Sequence, residues 1–258
     1  MRGVRLIIYN LLLVSGLQLR PTIERMAKYS SKAYMSTKDA KINTLISLPE
    51  KIGIRAFIDN EDLIITCRGT CNIADWTTNL NCILKKHPYN NSGRVHRGYL
   101  ETVWNILKLS EFKEIERAIY AQKHRGILIG GHSSAGAKSV ILGHYLARNH
   151  PTKKFTVVTF GSPKTGDYKF YKDIETLRNL IIISVNFRDD LVPLLGFGIS
   201  KPDRQVDIFS HERCFHIIKS HLMLRYEEAL IHNPELYHFL ERNEETILLD
   251  NILKFNIN

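Results

Sequence analysis

The stretch from residue 127 to residue 185 limits what this chain can fold into more than any other part of it. Ile127-Leu128-Ile129 is a short apolar run of strand type. In residues 134–149, Ala137, Val140, Ile141 and Tyr145 recur at helical spacing, and Pro151 stops the helix. Phe155–Phe160 is again apolar and strand-like, residues 167–178 read as helix, and Leu180–Val185 is a third strand. Strand, helix, strand, helix, strand implies a parallel sheet with helices packed on it. The 258 residues suffice for one sizeable core of that kind.

Between the first strand and the first helix stands Gly131-His132-Ser133-Ser134-Ala135-Gly136. A small-residue turn at a strand-to-helix junction is the setting a nucleophile elbow requires, because strand and helix approach closely there. It would expose Ser133 Oγ at the end of the sheet. A serine hydroxyl needs a base, and the base needs a carboxylate to orient it. On α/β-hydrolase folds the order along the chain is serine, acid, histidine. After Leu180–Val185 comes the acid pair Asp189-Asp190, just past the carboxyl end of a strand, where sites in such sheets lie. His221 follows later, with His216 as a rival.

At this point the sequence resembles the class 3 lipase family, the fungal triacylglycerol lipase-like group. Five blocks in the right order carry the resemblance: Ile65-Thr66-Cys67-Arg68-Gly69-Thr70, Asp75-Trp76-Thr77-Thr78-Asn79-Leu80, Val95-His96-Arg97-Gly98-Tyr99, Phe160-Gly161-Ser162-Pro163-Lys164-Thr165-Gly166-Asp167 and Asp190-Leu191-Val192-Pro193. The resemblance covers roughly residues 23–230. It implies an α/β-hydrolase fold with a mostly parallel central sheet flanked by helices. It implies a serine esterase of lipid esters, acylglycerols or phospholipids, working without cofactor or metal. By the same resemblance Ser133 is the nucleophile, Asp190 the acid and His221 the base, and the amides of Ser134 and Thr70 are the oxyanion donors. The offset before Val192-Pro193 favours Asp190 over Asp189, and the His-then-Tyr pattern of His221 and Tyr226 favours His221 over His216. His96 and His132 are expected to pack or support, and Gly161, Pro163 and Gly166 to shape loops. Ala135 stands where the family has glycine, Ser134 replaces an apolar residue, and Lys138 follows on the helix. None of these removes a catalytic atom. A lipase-like binding protein without activity and an acyltransferase using the same triad stay open as alternatives.

The remaining segments are less specific. Residues 22–36 read as a helix capped by Thr22, and Ile52–Ile58 and Leu63–Cys67 as a hairpin turning at Asp59-Asn60-Glu61-Asp62. Residues 98–122 read as one or two helices and residues 234–254 as an amphipathic helix. In residues 72–86, Trp76, Leu80, Ile83 and Leu84 would share one helical face, either a lid or a helix fixed on the core. Residues 1–21 read as a signal peptide or an anchoring helix ahead of a single domain over residues 22–258, which points to secretion or membrane association. Cys67, Cys71, Cys82 and Cys214 show no metal-ligand spacing, and both disulfides and buried thiols are open. The formal charge of +10 is spread along the chain with no dense basic run. It fits a lipid–water interface or a membrane surface, and no nucleic-acid motif is present.

Overall fold

The structure is a computed structural model that describes residues 20–35, 44–47, 53–69, 83–88, 93–121, 126–195, 204–210, 221–232 and 237–242. In chain order its strands are β1 (Thr44–Ser47), β2 (Ile54–Asp59), β3 (Asp62–Cys67), β4 (Leu84–Lys86), β5 (Arg94–His96), β6 (Ile127–His132), β7 (Phe155–Phe160), β8 (Leu180–Phe187), β9 (Arg204–Ser210) and β10 (Tyr237–Arg242). Eight of them form one sheet in the order β1-β2-β3-β6-β7-β8-β9-β10, and β4 pairs with β5 separately. The middle five, β3, β6, β7, β8 and β9, run parallel. Both edges turn antiparallel, β1–β2–β3 on one side and β9–β10 on the other.

A parallel sheet must be covered on both faces, and its strands alternate between the two cores. Along β3, Leu63, Ile65 and Cys67 point into one core and Ile64 into the other. The first core lies under the helices Arg97–Leu107, Ser110–Tyr120, Ser134–Asn149 and Tyr168–Glu175, and is filled by Val103, Phe112, Ile115, Ile141 and Phe170. The second lies under a helix over residues 20–32 and the short helix Met223–Glu227, and is filled by Met26, Phe57, Val158, Phe160 and Tyr226. Arg55, only 5% exposed, donates to the carbonyls of Lys32 (2.9 Å) and Met35 (2.6 Å). It thereby ties β2 to the end of the 20–32 helix and the turn that follows it.

The central alternation and the two helices between residues 97 and 120 match the sequence reading, with β6 and β8 each extending past the apolar run that marks them. Three readings need correction, and one open alternative is narrowed. The first helix already runs at residue 20, so Thr22 lies inside its first turn and is not its cap. The helical face proposed for residues 72–86 does not continue to its end: Leu84–Lys86 is strand β4, paired with Arg94–His96, and Ile83 is 56% exposed. Residues 72–82 lie outside the described residues. The tail is not helical where it is described, because Tyr237–Arg242 pairs along its whole length with β9. Cys67 is a buried free thiol, which rules out pairing of all four cysteines; the other three lie outside the described residues, as do residues 1–19.

The β2–β3 hairpin turns at Asn60-Glu61 with φ of 48° and 66°, the mirror-image turn that suits twisted strands. Asparagine tolerates that region and glutamate pays for it. In the exposed turn, Glu61→Gly should relieve about 1–2 kcal/mol of strain against about 0.4–1 kcal/mol of added unfolded-state entropy. A net gain of roughly 0.5–1 kcal/mol in urea unfolding is expected. A loss of stability would show that the Glu61 side chain matters more than its backbone.

Candidate active site

The end of β6 and the start of the helix Ser134–Asn149 are joined by one residue, Ser133, with φ 61° and ψ −134°. A side-chain-bearing residue in that region stores about 1–3 kcal/mol, and the surroundings must hold it there. They do so through the backbone. The Ser133 amide donates to the Phe160 carbonyl at 2.9 Å, and the Gly136 amide donates to the Ser133 carbonyl at 2.9 Å. Gly131 is required by packing: a Cβ on it would lie 2.8 Å from Ala135 Cβ and 2.9 Å from the Cys67 carbonyl oxygen. The methyl group of Ala135, fully buried, fills the room that Gly131 leaves, so alanine in place of the family's glycine fits the turn. Ser134 opens the 16-residue helix behind the turn, where backbone N–H groups and the helix dipole favour negative charge.

Asp190 follows β8 and is 2% exposed. Its Oδ2 accepts from His221 Nδ1 at 2.7 Å and from the Tyr226 hydroxyl at 2.7 Å, and its Oδ1 accepts from the Val192 amide at 2.9 Å. Of the acid pair, Asp190 is therefore the member that meets His221. With Nδ1–H donating to a carboxylate, the neutral imidazole carries its basic lone pair on Nε2. Tyr226 is locked in turn, because its hydroxyl accepts from the Phe187 amide at 3.1 Å. Burial, reinforced by the charge of Asp190, pushes the Tyr226 hydroxyl well above the ordinary tyrosine range, so it stays a donor.

The elbow and the acid–base pair lie at the same end of the sheet and are tied together on two sides. His132, next to Ser133, has its Nε2 2.5 Å from the His221 carbonyl oxygen. Phe160, which holds the Ser133 amide, precedes Gly161, whose φ is +53°. A Cβ on Gly161 would lie 2.5 Å from Asp190 Oδ2, 2.8 Å from the Tyr226 hydroxyl and 3.2 Å from His221 Cε1. Gly161 does more than shape a loop: it is the gap into which the Asp190–His221 pair fits. Thr70 and His216 lie outside the described residues. His96 keeps a packing role, accepting from the Tyr99 amide at 3.4 Å at a helix start and stacking on the Tyr99 ring.

A doubly covered, mostly parallel sheet with a strained serine turn at the carboxyl end of a central strand and a buried Asp–His pair beyond later strands defines an α/β-hydrolase. The chain belongs to the class 3 lipases: the family model described as Lipase (class 3) matches residues 64–198, more than half of the chain. It is similar to the secreted mono- and diacylglycerol lipase 1 of Fusarium solani, 27% identical over 179 residues that cover 66% of this chain and 53% of that protein. It is also similar to the chloroplastic galactolipase DONGLE of Arabidopsis thaliana, 26% identical over 225 residues that cover 73% and 46%. Among solved structures, the Rhizomucor miehei lipase propeptide complex superposes with a TM-score of 0.62 at 19% identity, over 74% of this chain and 68% of that one. The chain thus spans about half the length of the curated relatives it matches.

Proposed function

We propose that this protein hydrolyses carboxylic ester bonds of glycerolipids, with Ser133 as nucleophile, His221 as general base and acid, and Asp190 as the carboxylate that orients His221. The buried 2.7 Å hydrogen bond between Asp190 Oδ2 and His221 Nδ1 carries the reading. Ser133 Oγ attacks the ester carbonyl as its proton passes to His221 Nε2. The charge that develops on the carbonyl oxygen meets the Ser134 amide and, by family resemblance, the Thr70 amide. Removing one such donor typically costs roughly 3–4 kcal/mol of barrier. His221 then protonates the leaving alcohol, and water activated by the same nitrogen releases the acid from Ser133. The Fusarium solani and Arabidopsis thaliana relatives, by their names, act on acylglycerols and galactolipids, which supports a glycerolipid substrate.

A lipid–water interface as the working surface is supported by leucines beside the acid and the base. Leu191 and Leu194 follow Asp190 and are 45% and 58% exposed, and Leu222 and Leu224 follow His221 at 47% and 66%. Large apolar side chains in such company are costly to leave in water and cheap to place in lipid. The positive formal charge adds attraction to anionic lipid surfaces.

The test is a fluorophosphonate that phosphonylates activated serines, followed by an ester panel from a soluble butyrate ester to emulsified diacylglycerol and phospholipid vesicles. Stoichiometric labelling at Ser133, with free fatty acid as product and faster turnover above the solubility limit, is the expected result. No labelling would leave a lipid-binding protein, and an ester product in the presence of added alcohol would point to acyl transfer.

A further inference from the structure

His132 lies between two parts of the proposed machinery, and its hydrogen bonds define what it does there. Its Nε2 is 2.5 Å from the backbone carbonyl oxygen of His221, and its Nδ1 is 3.0 Å from the Tyr34 hydroxyl. A carbonyl can only accept, so Nε2 carries the proton and donates. In the neutral ring Nδ1 is then an acceptor, and Tyr34 donates to it. The ring is 5% exposed and lies 4.5 Å, centroid to centroid, from the ring of His221. Burial holds its pKa well below the ordinary histidine range, and the neighbouring His221 acts in the same direction. His132 therefore stays neutral.

The anchor of this chain is rigid. Tyr34 sits on the turn after the 20–32 helix, between Lys32 and Met35, whose carbonyls are both held by the guanidinium of Arg55 on β2. Gly69, two residues past the end of β3, packs so closely that a Cβ there would collide with the Tyr34 hydroxyl and lie 2.9 Å from the His132 carbonyl oxygen.

We propose that His132 and Tyr34 are positioning residues: they form a hydrogen-bonded strut that fixes the backbone of His221 relative to the Ser133 turn. The inference rests on the reading of Ser133 and His221 as nucleophile and base. The imidazole of His221 is held at one end by Asp190, and a ring held only there can pivot about that single hydrogen bond. The bond from His132 to the His221 carbonyl supplies a second fixed point on the same residue. It comes from the residue that immediately precedes the nucleophile. A misplacement of about 1 Å between base and nucleophile costs roughly a hundredfold in rate.

Three variants test this: Tyr34→Phe, His132→Leu and His132→Gln. On a soluble butyrate ester, His132→Leu should lower kcat about a hundredfold with KM nearly unchanged. Tyr34→Phe should lower it about tenfold, the worth of one buried hydrogen bond. His132→Gln, whose amide N–H can reach the His221 carbonyl, should recover most of what leucine loses. A purely structural role predicts the opposite order, since leucine packs better than a partly satisfied amide. Melting temperatures show whether each variant is folded. Should both His132 variants fail to fold, the near-isosteric Tyr34→Phe still reads the effect. In ¹⁵N histidine spectra of the wild type, His132 should appear as the neutral Nε2–H tautomer from pH 5 to pH 8. Wild-type kcat in Tyr34→Phe, leucine equal to or better than glutamine, or a charged or Nδ1–H His132 would each overturn the strut. A wild type that the fluorophosphonate does not label would overturn the esterase reading and the strut together. A labelled wild type with unaffected variants would overturn the strut alone.

Discussion

Alanine in place of Ser133 is expected to cut kcat on a soluble ester by about 10⁶-fold, and asparagine in place of Asp190 by about 10⁴-fold. On the proposed mechanism the first loses the atom that forms the acyl-enzyme. The second keeps the shape but replaces the acceptor that fixes the His221 tautomer, so the proton on Nδ1 loses its partner and the imidazolium its counter-charge. Asp190 is 2% exposed and accepts three hydrogen bonds, from His221, Tyr226 and the Val192 amide. An amide cannot accept all three on the same atoms without turning a donor toward a donor. Asp189→Asn should change kcat by less than about threefold, because the neighbouring carboxylate is the one bonded to His221. Turnover numbers and the rate of fluorophosphonate labelling measure the series. A larger fall in Asp189→Asn than in Asp190→Asn would move the acid by one residue, and substantial turnover by Ser133→Ala would remove the nucleophile.

The parts of this arrangement that can be read from the residues are the local ones. A strand-to-helix turn needs small neighbours within a few residues, so Gly131, Ser133 and Ala135 stand together in the chain and announce the elbow. The central strands are apolar on both faces and short, and the helix Ser134–Asn149 runs unbroken from the elbow to Asn149 with Pro151 just beyond it. What could not be read rests on partners far away in sequence. Tyr34 and His132 are 98 residues apart, and His132 and the carbonyl it holds are 89 apart. Gly161 looks like a loop glycine in its own segment, and only the folded chain puts Asp190 and His221 against it. Strand β10 takes its conformation from β9, which itself pairs with β8 on its other side. In isolation Tyr237–Arg242 carries as much helical as strand character. The same holds for Leu84–Lys86, where three residues are too few to show a period and Arg94–His96 decides the conformation.

The proposed strut and the Asp190–Tyr226–His221 cluster would hold His221 from two directions. Asp190 and Tyr226 hold the imidazole from its Nδ1 side, and His132 holds the backbone of the same residue. Both supports come from buried groups that keep one protonation state: burial raises the Tyr226 pKa and lowers that of His132. On the proposed mechanism, the proton that moves during turnover is then confined to His221 Nε2 and the reacting oxygens.

Acid should unfold this protein from a comparatively high pH. Four buried histidines, His87, His132, His144 and His150, have their pKa values lowered from 6.5, in each case chiefly by burial. His87 is brought down to about 3; it is 1% exposed and packs among His144, Trp104 and Phe170. The titratable and charged groups around it are His144 and Arg148, which lower its pKa further, and Asp173, which raises it. Above about pH 6.5 these rings are neutral in both the folded and unfolded chain and contribute no pH dependence. Below it the unfolded chain binds protons that the folded chain refuses, so stability falls as pH falls from 6.5 toward 3. Each such ring contributes a slope of up to about 1.4 kcal/mol per pH unit, against a whole stability of about 5–15 kcal/mol for an ordinary domain. Urea unfolding between pH 8 and pH 4.5 should show a plateau at the alkaline end and a decline that steepens below pH 6.5, with uptake of more than one proton on unfolding. In His87→Leu the decline should be shallower by up to one proton, because leucine keeps the apolar contacts to Phe170 and Trp104 without a site to titrate. Stability that stays level down to pH 5, or an unchanged slope in His87→Leu, would show that these histidines are protonated in the folded protein.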